Sequence, residues 1–400
     1  MEAIILGAGK GSRMKDSIPK WAQLLDERML IDYLAHTLQS LQIKFSVCIK
    51  KAMEADMKYP YFFQNEFFYE SFGPIYSANF SDDEEYLVLN ADMPLIDKDI
   101  LESFIGEFSE TDREVGILVS KKVRNKKNYQ RVNRKLKFNR GQYYNLGVYL
   151  FKGSFLNCFK ERFYNYYGLT LPKFIEDTVN TSYIKEIKDS TSFININERE
   201  DLKEAHTILA SIISSRLLTK NRIMANNIKV DFFSKVEGNT IYDNAKIVNS
   251  IVYNSWIKEN THILNSQIDS NNYLGPFLKI EDSSLDRNNE IGSFVEIKRS
   301  QVGAFNQIKH HTYLGDTTLG NRNNIGAMTV VSNFNGAYKN KTEIGNDNFI
   351  GSFTNLVSPL KMGSNNYIAS MTKVVEEVYD NQFIKENHQN IIKDNTFLKP

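Results

Sequence analysis

The chain has 400 residues, of which 24% are charged, and a formal net charge of +1. This length predicts two or three domains, and the balanced charge argues against binding to nucleic acid or to an anionic membrane surface. Two cysteines without metal-ligand spacing, and no apolar run near the ~20 residues of a membrane span, favour a cytoplasmic protein with reduced thiols and no membrane insertion. The abundant Asn, Lys and Ile are attributed to base composition rather than to chemistry.

The N-terminal segment is predicted to be a strand at 3–6 followed by a glycine-rich loop at 7–14. Glycines in such a loop let backbone N–H groups approach a polyphosphate, and Arg13 with Lys10 would supply positive charge. Lys20 places a further cation a short loop away. The spacing fits neither a Walker loop nor a dinucleotide-binding fingerprint. Phosphate binding is therefore the functional hypothesis, and a plain glycine-rich turn is the alternative.

Strands and helices alternate through the rest of this half, which predicts an α/β fold. A helix is predicted at 29–41, a basic hairpin flank at 121–140, and strands at 45–49, 86–89, 115–120, 144–151 and 193–197. Asp92 follows the strand at 86–89, where open α/β sheets bind ligands and metals. It is therefore a candidate Mg²⁺ ligand, and a turn or helix-cap aspartate is the alternative.

A long helix is predicted at 198–218, where apolar residues recur at helical spacing without a breaker. We expect it to connect two domains. The expected boundaries are 1–197 for the first domain, 198–228 for the connecting helix, 229–375 for the second domain and 376–400 for a tail.

The second domain is defined by aliphatic residues that recur every 17 positions. Such a period predicts a solenoid of three-sided coils built from hexapeptide repeats, a parallel β-helix; ordinary hairpins would alternate every two residues instead. The three series are Ile257, Leu274, Ile291, Ile308 and Ile325; Ile263, Ile280, Ile297 and Leu314; and Ile251, Ile268, Leu285, Val302 and Leu319.

The period breaks once, after Val331, and the residues at 332–343 are predicted to leave the coil as a loop. Insertions of this kind often bind ligands. The lattice brings Lys298 and Tyr313 to one side of successive coils, near the His310-His311 pair. These side chains predict a general base beside an anion-binding cradle, and solvated surface histidines are the alternative.

Several motifs resemble known families. Residues 6–14 with Pro19-Lys20, and residues 89–96, resemble the sugar-1-phosphate nucleotidyltransferases. The second half is similar to the GlmU family of bifunctional N-acetylglucosamine-1-phosphate uridylyltransferases and glucosamine-1-phosphate N-acetyltransferases. Its motifs lie at 292–298, 310–316, 324–327, 333–336, Lys339 and 350–352. The resemblance runs from residue 2 to about residue 375.

For the second domain, the resemblance implies a left-handed β-helix that assembles as a homotrimer and acetylates glucosamine 1-phosphate. His310 would be the general base. The sugar phosphate would be bound by Lys298, Tyr313 and Lys339, and the sugar by Asn324 and Asn333. Acetyl-CoA would be bound by Ala327, Ser352 and Ser370.

For the first domain, the resemblance implies a Rossmann-like nucleotidyltransferase with a mixed, mostly parallel sheet, which joins UTP or another nucleoside triphosphate to a sugar 1-phosphate. Arg13 and Lys20 would stabilise charge on the phosphates, and Asp92 with Asn197 would hold Mg²⁺. The remaining substrate-binding residues would be Leu6, Gly7, Gly9, Gly73 and Asn145.

The sequence also departs from the family pattern. Phe68, Pro74 and Gln130 replace residues that read the base and the sugar, and Met328 replaces a glycine. The family's phosphate-binding arginine in the three-sided β-helix (the prism) has no counterpart in this sequence, and the corresponding coil contains Lys279, Glu281 and Asp282 instead. Two alternatives therefore stay open: a nucleotidyltransferase and acyltransferase for another sugar or nucleotide in surface-glycan synthesis, and a non-catalytic scaffold.

Overall fold

The protein is described by a computed structural model. The structure describes residues 1–8, 18–64, 73–163, 175–176 and 182–386. The chain forms two compact units, Met1–Ser211 and Ile212–Pro400. No helix in the described residues is long and apolar enough to cross a bilayer.

The first unit contains a mixed sheet of eight described strands. Tyr143–Lys152 runs antiparallel to both of its neighbours in the main sheet, and the other neighbouring strands are parallel. This confirms the predicted α/β class with a mostly parallel sheet. In spatial order the strands are Tyr183–Ile187, Val115–Ser120, Tyr143–Lys152, Glu85–Asn90, Glu2–Leu6, Lys44–Ile49 and Tyr61–Phe63, with Arg131–Val132 paired to Tyr143–Lys152.

Helices pack on this sheet because apolar side chains recur on one side of each. In Lys98–Ser109, for example, Leu101, Phe104 and Phe108 are fully buried, and the Asp97 side chain caps the first turn by accepting a hydrogen bond from the Ile100 N–H at 3.0 Å. The described α-helices are Leu30–Ser40, Gly73–Ser77, Lys98–Ser109, Gly153–Phe163 and Arg199–Lys220, and the short 3₁₀ turns are Lys20–Ala22, Lys51–Asp56 and Lys126–Asn128. The long helix spans the division between the two units.

The strand predicted at 193–197 is wrong. The segment is buried, but its backbone forms isolated bonds rather than a ladder: the Ile196 N–H donates to the Asp92 carbonyl at 2.9 Å, and the Tyr129 hydroxyl donates to the Phe193 carbonyl at 2.5 Å. The apolar residues of this segment alternate and are buried, and that pattern is typical of a strand. A strand also needs a hydrogen-bonded neighbouring strand, which burial alone does not supply.

The second unit is a left-handed parallel β-helix with three flat faces, as predicted. The ten strands of the first face are Arg222–Met224, Thr240–Tyr242, Trp256–Ile257, Tyr273–Leu274, Glu290–Ser293, Gln307–His310, Asn324–Ile325, Phe349–Ile350, Tyr367–Ile368 and Phe383–Ile384. The nine strands of the second face are Lys229–Val230, Lys246–Val248, His262–Leu264, Lys279–Glu281, Glu296–Lys298, Tyr313–Gly315, Val330–Ser332, Asn355–Val357 and Lys373–Val374. The eight strands of the third face are Lys235–Glu237, Ile251–Tyr253, Gln267–Ile268, Ser284–Leu285, Gln301–Val302, Thr317–Leu319, Thr342–Ile344 and Leu360–Met362.

The predicted aliphatic series fill the interior of the prism, with one exception. Ile251 is 36% exposed, and Val252 beside it is fully buried and pairs in register with Ile268. The coils between Val236 and Ile268 therefore contain 16 residues rather than 17, as the spacings from Ile241 to Ile257 and from Ile247 to Ile263 also show. The prediction that the 17-residue period includes Ile251 is therefore wrong by one coil.

Buried asparagines form a ladder through one corner of the prism. In Asn289, Asn306 and Asn323 the side-chain oxygen accepts a hydrogen bond from the backbone N–H of the asparagine on the next coil, at 2.8–2.9 Å. All three side chains are at most 1% exposed. The ladder satisfies backbone groups that the corner leaves without strand partners. The attribution of the abundant Asn to base composition is therefore wrong for these positions.

The predicted loop leaves the prism between the strands Val330–Ser332 and Thr342–Ile344. Inside it, Phe334 and Lys339 pair as an antiparallel bridge. The insertion lengthens the coil, so that Ile325 pairs with Ile350 on the next coil, 25 residues later. At the other end, strand Phe383–Ile384 pairs with Tyr367–Ile368, so the β-helix continues into residues predicted to be tail.

Candidate functional site

The first candidate site lies at the carboxyl edge of the parallel strands in the first unit. Leu6 is the last residue of its strand and pairs in register with Cys48 and Asn90. The Gly7 N–H donates to the Cys48 carbonyl at 2.9 Å, and a Cβ at Gly7 would lie 2.9 Å from that oxygen, so no larger residue fits. Asp92 follows Asn90 by two residues, which brings its carboxylate to the same edge.

Lys20 links the two predicted metal ligands. Its ammonium group lies 2.8 Å from Asp92 Oδ2 and 2.6 Å from Asn197 Oδ1. The second carboxylate oxygen of Asp92, Oδ1, is buried and has no hydrogen-bond partner within the part of the chain that the structure describes. Three predicted site residues that are far apart in sequence therefore meet at one point, and a buried carboxylate oxygen remains available to a cation.

Asp201 fixes the position of Asn197, and the sequence analysis did not identify it. Its carboxylate is 1% exposed and accepts hydrogen bonds from the N–H groups of Asn197 and Glu198, both at 2.9 Å. It also accepts from the side chains of Asn125 at 2.7 Å and Asn128 at 3.1 Å. Its bond to the Glu198 N–H is the acidic half of a capping box, but Glu198 stands where that motif has Ser or Thr, so the sequence contains no complete signal for Asp201.

The other predicted residues of the first unit are distributed around this edge. Asn145 is buried, and its side-chain oxygen accepts a hydrogen bond from the Gly147 N–H at 2.9 Å. Gly147 has φ +76°, and a Cβ there would lie 2.7 Å from the Asn90 side chain, so this irregular point within the strand Tyr143–Lys152 requires glycine. Gly73 is buried at the start of its helix. Gly9, Lys10, Arg13 and Phe68 lie outside the described residues.

The second candidate site lies along the edge where the first and second faces of the prism meet. His310 ends a strand of the first face, His311 forms the corner with φ +43°, and Tyr313 begins a strand of the second face. The His310 side chain is exposed and has no hydrogen-bond partner among the described residues. The His311 ring stacks on the Phe294 ring with centroids 4.9 Å apart. Both histidines are exposed, and they differ in that the His311 ring is packed against an aromatic ring whereas, in the described part of the chain, the His310 ring is not.

Lys298 and Tyr313 lie on neighbouring strands of the second face. Lys298 pairs in register with Gly315, and a Cβ at Gly315 would lie 2.4 Å from the Tyr313 hydroxyl oxygen. Because Gly315 has no side chain, the phenol of Tyr313 can lie beside it, next to the strand that contains Lys298. The ammonium group of Lys298 lies 2.9 Å from Glu281 Oε2.

Asp316 holds the inserted loop to this face. The sequence analysis included it in a motif but did not identify it as a site residue. Arg299 binds its carboxylate with two hydrogen bonds of 2.7 and 2.8 Å, and the Asn333 side chain donates to it at 2.5 Å. The Arg299 guanidinium, together with Asn333 and the charge of Lys339, lowers the pKa of Asp316. The bonds bring Asn333, which is 6% exposed, against the coil that carries Tyr313.

The three predicted acetyl-CoA residues stack in one column above His310. The Met328 N–H donates to the His310 carbonyl, the Phe353 N–H to the Ala327 carbonyl, and the Met371 N–H to the Ser352 carbonyl, at 3.2, 2.7 and 2.8 Å. Ala327, Ser352 and Ser370 therefore lie on successive coils, about 4.8 Å apart. Asn324 lies on the first face, on the strand after that of His310. Such a column can accommodate an extended ligand parallel to the prism axis.

Comparison with known proteins gives similarities to both units. Residues 3–167 match the family model described as a MobA-like NTP transferase domain. A "Bifunctional protein GlmU" from Clostridium botulinum is 28% identical over 94% of this chain and 93% of that protein, and one from Thermodesulfovibrio yellowstonii is 29% identical over 94% of each. A solved inositol-1-phosphate CTP transferase from T. maritima covers 52% of this chain and 95% of that chain, with 16% identity and a TM-score of 0.42.

Proposed function

Since this chain is a divergent relative of the GlmU proteins, we propose that it is a bifunctional enzyme that synthesises UDP-N-acetylglucosamine. The second unit transfers an acetyl group from acetyl-CoA to glucosamine 1-phosphate. The first unit then transfers a uridylyl group from UTP to N-acetylglucosamine 1-phosphate and releases pyrophosphate. The observation that carries this proposal is the extent of the likeness, which covers 94% of the chain and so includes both units.

Nucleotidyl transfer requires that charged phosphates be brought together and their charge neutralised. The donor set at the sheet edge suits Mg²⁺, because Asp92 presents a buried carboxylate oxygen without a partner among the described residues and Asn197 presents an amide oxygen. When bound, the ion neutralises charge on the nucleotide phosphates. No cluster of three or more His, Cys, Asp or Glu side chains suited to a metal occurs in the described ranges, so substrate oxygens would complete the coordination.

Lys20 has two roles in this proposal. Without substrate, its ammonium group keeps the Asp92 and Asn197 oxygens close together, at 2.8 and 2.6 Å. With substrate, it exchanges these oxygens for phosphate oxygens and neutralises the pyrophosphate as that group leaves. Asp201, which binds the Asn197 backbone, is a positioning residue for the amide ligand.

Acetyl transfer requires a base for the attacking amine and a site for the acceptor's phosphate. His310 takes a proton from the glucosamine nitrogen as that nitrogen attacks the thioester carbonyl, and the thiolate of CoA leaves. Lys298, Tyr313 and Lys339 bind the phosphate. The column of Ala327, Ser352 and Ser370 holds the extended arm of acetyl-CoA beside the histidine.

A second candidate is the same pair of reactions on another sugar or nucleotide. It is favoured by the segment 128–131, where the side chains of two residues are engaged in the protein's own hydrogen bonds. Asn128 donates to Asp201 at 3.1 Å, and the Tyr129 hydroxyl donates to the Phe193 carbonyl at 2.5 Å. Burial raises the pKa of Tyr129 to about 12, so the hydroxyl remains a donor at neutral pH. These groups would have to leave their partners to contact a sugar.

One mass spectrum tests both candidates. The purified chain is incubated with glucosamine 1-phosphate, acetyl-CoA, Mg²⁺ and equal amounts of the four nucleoside triphosphates. UDP-N-acetylglucosamine as the dominant product supports the proposal. Another nucleotide sugar would favour the second candidate. The absence of both acetylated and nucleotide-linked product would refute the first proposal and restrict the second candidate to a different sugar phosphate.

A further inference from the structure

An internal carboxylate binds Lys298 of the predicted sugar-phosphate site and the neighbouring Lys279. Glu281 Oε2 lies 2.9 Å from the ammonium group of Lys298 and 2.6 Å from that of Lys279. Glu281 and Lys298 are register partners on neighbouring strands of the second face, so their side chains emerge side by side. The carboxylate is 22% exposed and Lys298 is 28% exposed, which leaves both groups reachable by a ligand.

The charges of this cluster nearly cancel. Hydrogen bonds from Lys279 and Lys298 hold the pKa of Glu281 at about 2, so it is ionised throughout the neutral range. Glu296 lies 3.5 Å from Lys279, which adds a second negative charge. Two ammonium groups and two carboxylates sum to zero, and Lys298 therefore does not present a free positive charge to an incoming phosphate.

We propose that Glu281 is a specificity-determining residue of the acetyl-acceptor site: it is an internal anion that Lys298 must release before it can bind the acceptor's phosphate. The inference rests on the proposed acetyl transfer to a sugar phosphate and names a residue that controls it. A doubly charged phosphate monoester competes for Lys298 better than a monoanion does, because its Coulomb attraction is larger. Glu281 therefore makes the site select phosphomonoesters and weakens its overall affinity for anions.

The substitution Glu281→Gln tests this assignment. It preserves side-chain size and one oxygen acceptor for the lysines, and it removes the negative charge. Glu290→Gln is a matched control, since Glu290 pairs with Lys309 on the first face and does not contact Lys298. Calorimetric titrations with glucosamine 1-phosphate, inorganic phosphate and unphosphorylated glucosamine are compared for wild type and both variants.

We expect Glu281→Gln to bind glucosamine 1-phosphate and inorganic phosphate about fivefold more tightly than wild type, as is typical for removing a partly exposed competing ion pair. The affinity for unphosphorylated glucosamine should not change. The Glu290→Gln control should match wild type for every ligand. Equal or weaker phosphate affinity in Glu281→Gln would overturn the assignment. Tighter phosphate binding without acetyl transfer in any variant would leave the role of Glu281 intact and refute the proposed acetyltransferase activity.

Discussion

At the residue scale, two of the three predicted phosphate-binding lysines are paired within the protein itself. Lys20 is bound to Asp92 and Asn197, and Lys298 is bound to Glu281. An internal partner keeps a long, flexible side chain in one position and so reduces the conformational entropy that binding would otherwise cost. The same partner must be displaced when substrate arrives. Affinity at both sites is therefore a difference between two sets of charged hydrogen bonds.

Asp316 provides a pH-dependent test at this scale. Its carboxylate is 15% exposed and pairs with Arg299 through two hydrogen bonds, and this pairing lowers its pKa from the ordinary 3.8. A lowered carboxylate pKa contributes stability above the ordinary value, and that stability is lost as the pH falls through the folded-state pKa. Asp316→Asn should therefore lower the free energy of unfolding by about 1–2 kcal/mol at pH 7, and by less below pH ~4.

Urea unfolding of wild type and variant at pH 7 and pH 3 measures the effect. The matched control is Asp347→Asn, because Asp347 forms a similar two-bond pair with Arg322 but is 44% exposed. Water and salt screen such a pair, so this change should have little effect at either pH. Equal losses for the two variants would show that burial of the Asp316 pair contributes nothing.

At the scale of elements, the prism is held together by repetition. Each coil pairs only with the coils above and below, so every corner must satisfy its backbone groups in the same way. Buried asparagines do so at one corner, and exposed asparagines such as Asn254, Asn265 and Asn271 adopt positive φ at turns, where asparagine is better tolerated than most residues. The sequence pattern of this unit is therefore polar as well as aliphatic.

Asn306→Ala tests the ladder. The Asn306 side chain is fully buried, accepts from the Asn323 N–H at 2.8 Å and donates to the Gly303 and Gly320 carbonyls, both at 2.9 Å. Its removal leaves buried backbone groups without partners, so the free energy of unfolding should fall by about 3 kcal/mol.

Thermal and urea unfolding measure this loss, with Asn271→Ala as the control. Asn271 is exposed and has φ +60°, so its replacement costs only the strain of alanine in the left-handed region, about 1 kcal/mol. A loss at Asn306 no larger than at Asn271 would contradict a structural role for the ladder.

At the scale of the whole molecule, the chain joins two sites on separately packed units. In the proposed function the first site depends on Asp92 and the second on His310, and the two reactions share only a diffusible intermediate, N-acetylglucosamine 1-phosphate. Each site should therefore be inactivated without affecting the other. The similarity to GlmU proteins over 94% of the chain is consistent with one site in each unit.

Mixing two single variants tests that independence. His310→Ala should reduce acetyl transfer by about 10²–10⁴-fold, as expected for loss of a general base, and Asp92→Asn should abolish nucleotidyl transfer. Neither variant alone should convert glucosamine 1-phosphate to the nucleotide sugar, and an equal mixture should do so because the intermediate diffuses between molecules. Nucleotide-sugar assays of the two variants and the mixture provide the readout. A mixture as inactive as its components would refute two independent sites.

The periodicity of the sequence was enough to predict the prism. Each coil buries its aliphatic side chains only against the neighbouring coils, so the regular spacing of Ile263, Ile280 and Ile297 predicts the fold without any other information. Local patterns likewise predicted the strand before Asp92 and the loop that leaves the coil after Val331. The sequence did not show that Ile251 faces outward, because a 16-residue and a 17-residue coil differ by one position. It did not show that 193–197 lacks a strand partner, because pairing is a property of distant segments.

The 17-residue period places Glu281 beside Lys298 and Arg299 beside Asp316 on successive coils, but only the tertiary structure decided which polar and charged side chains bond to each other. Asp201 lies beside Asn128, Glu281 beside Lys298 and Asp316 beside Arg299, at separations in sequence from 17 to 73 residues. Within a short stretch of sequence, each of these carboxylates looks like an ordinary surface residue. Their effects come from distances of 2.7–3.1 Å that exist only after folding, and Coulomb and hydrogen-bond energies depend on those distances rather than on separation along the chain.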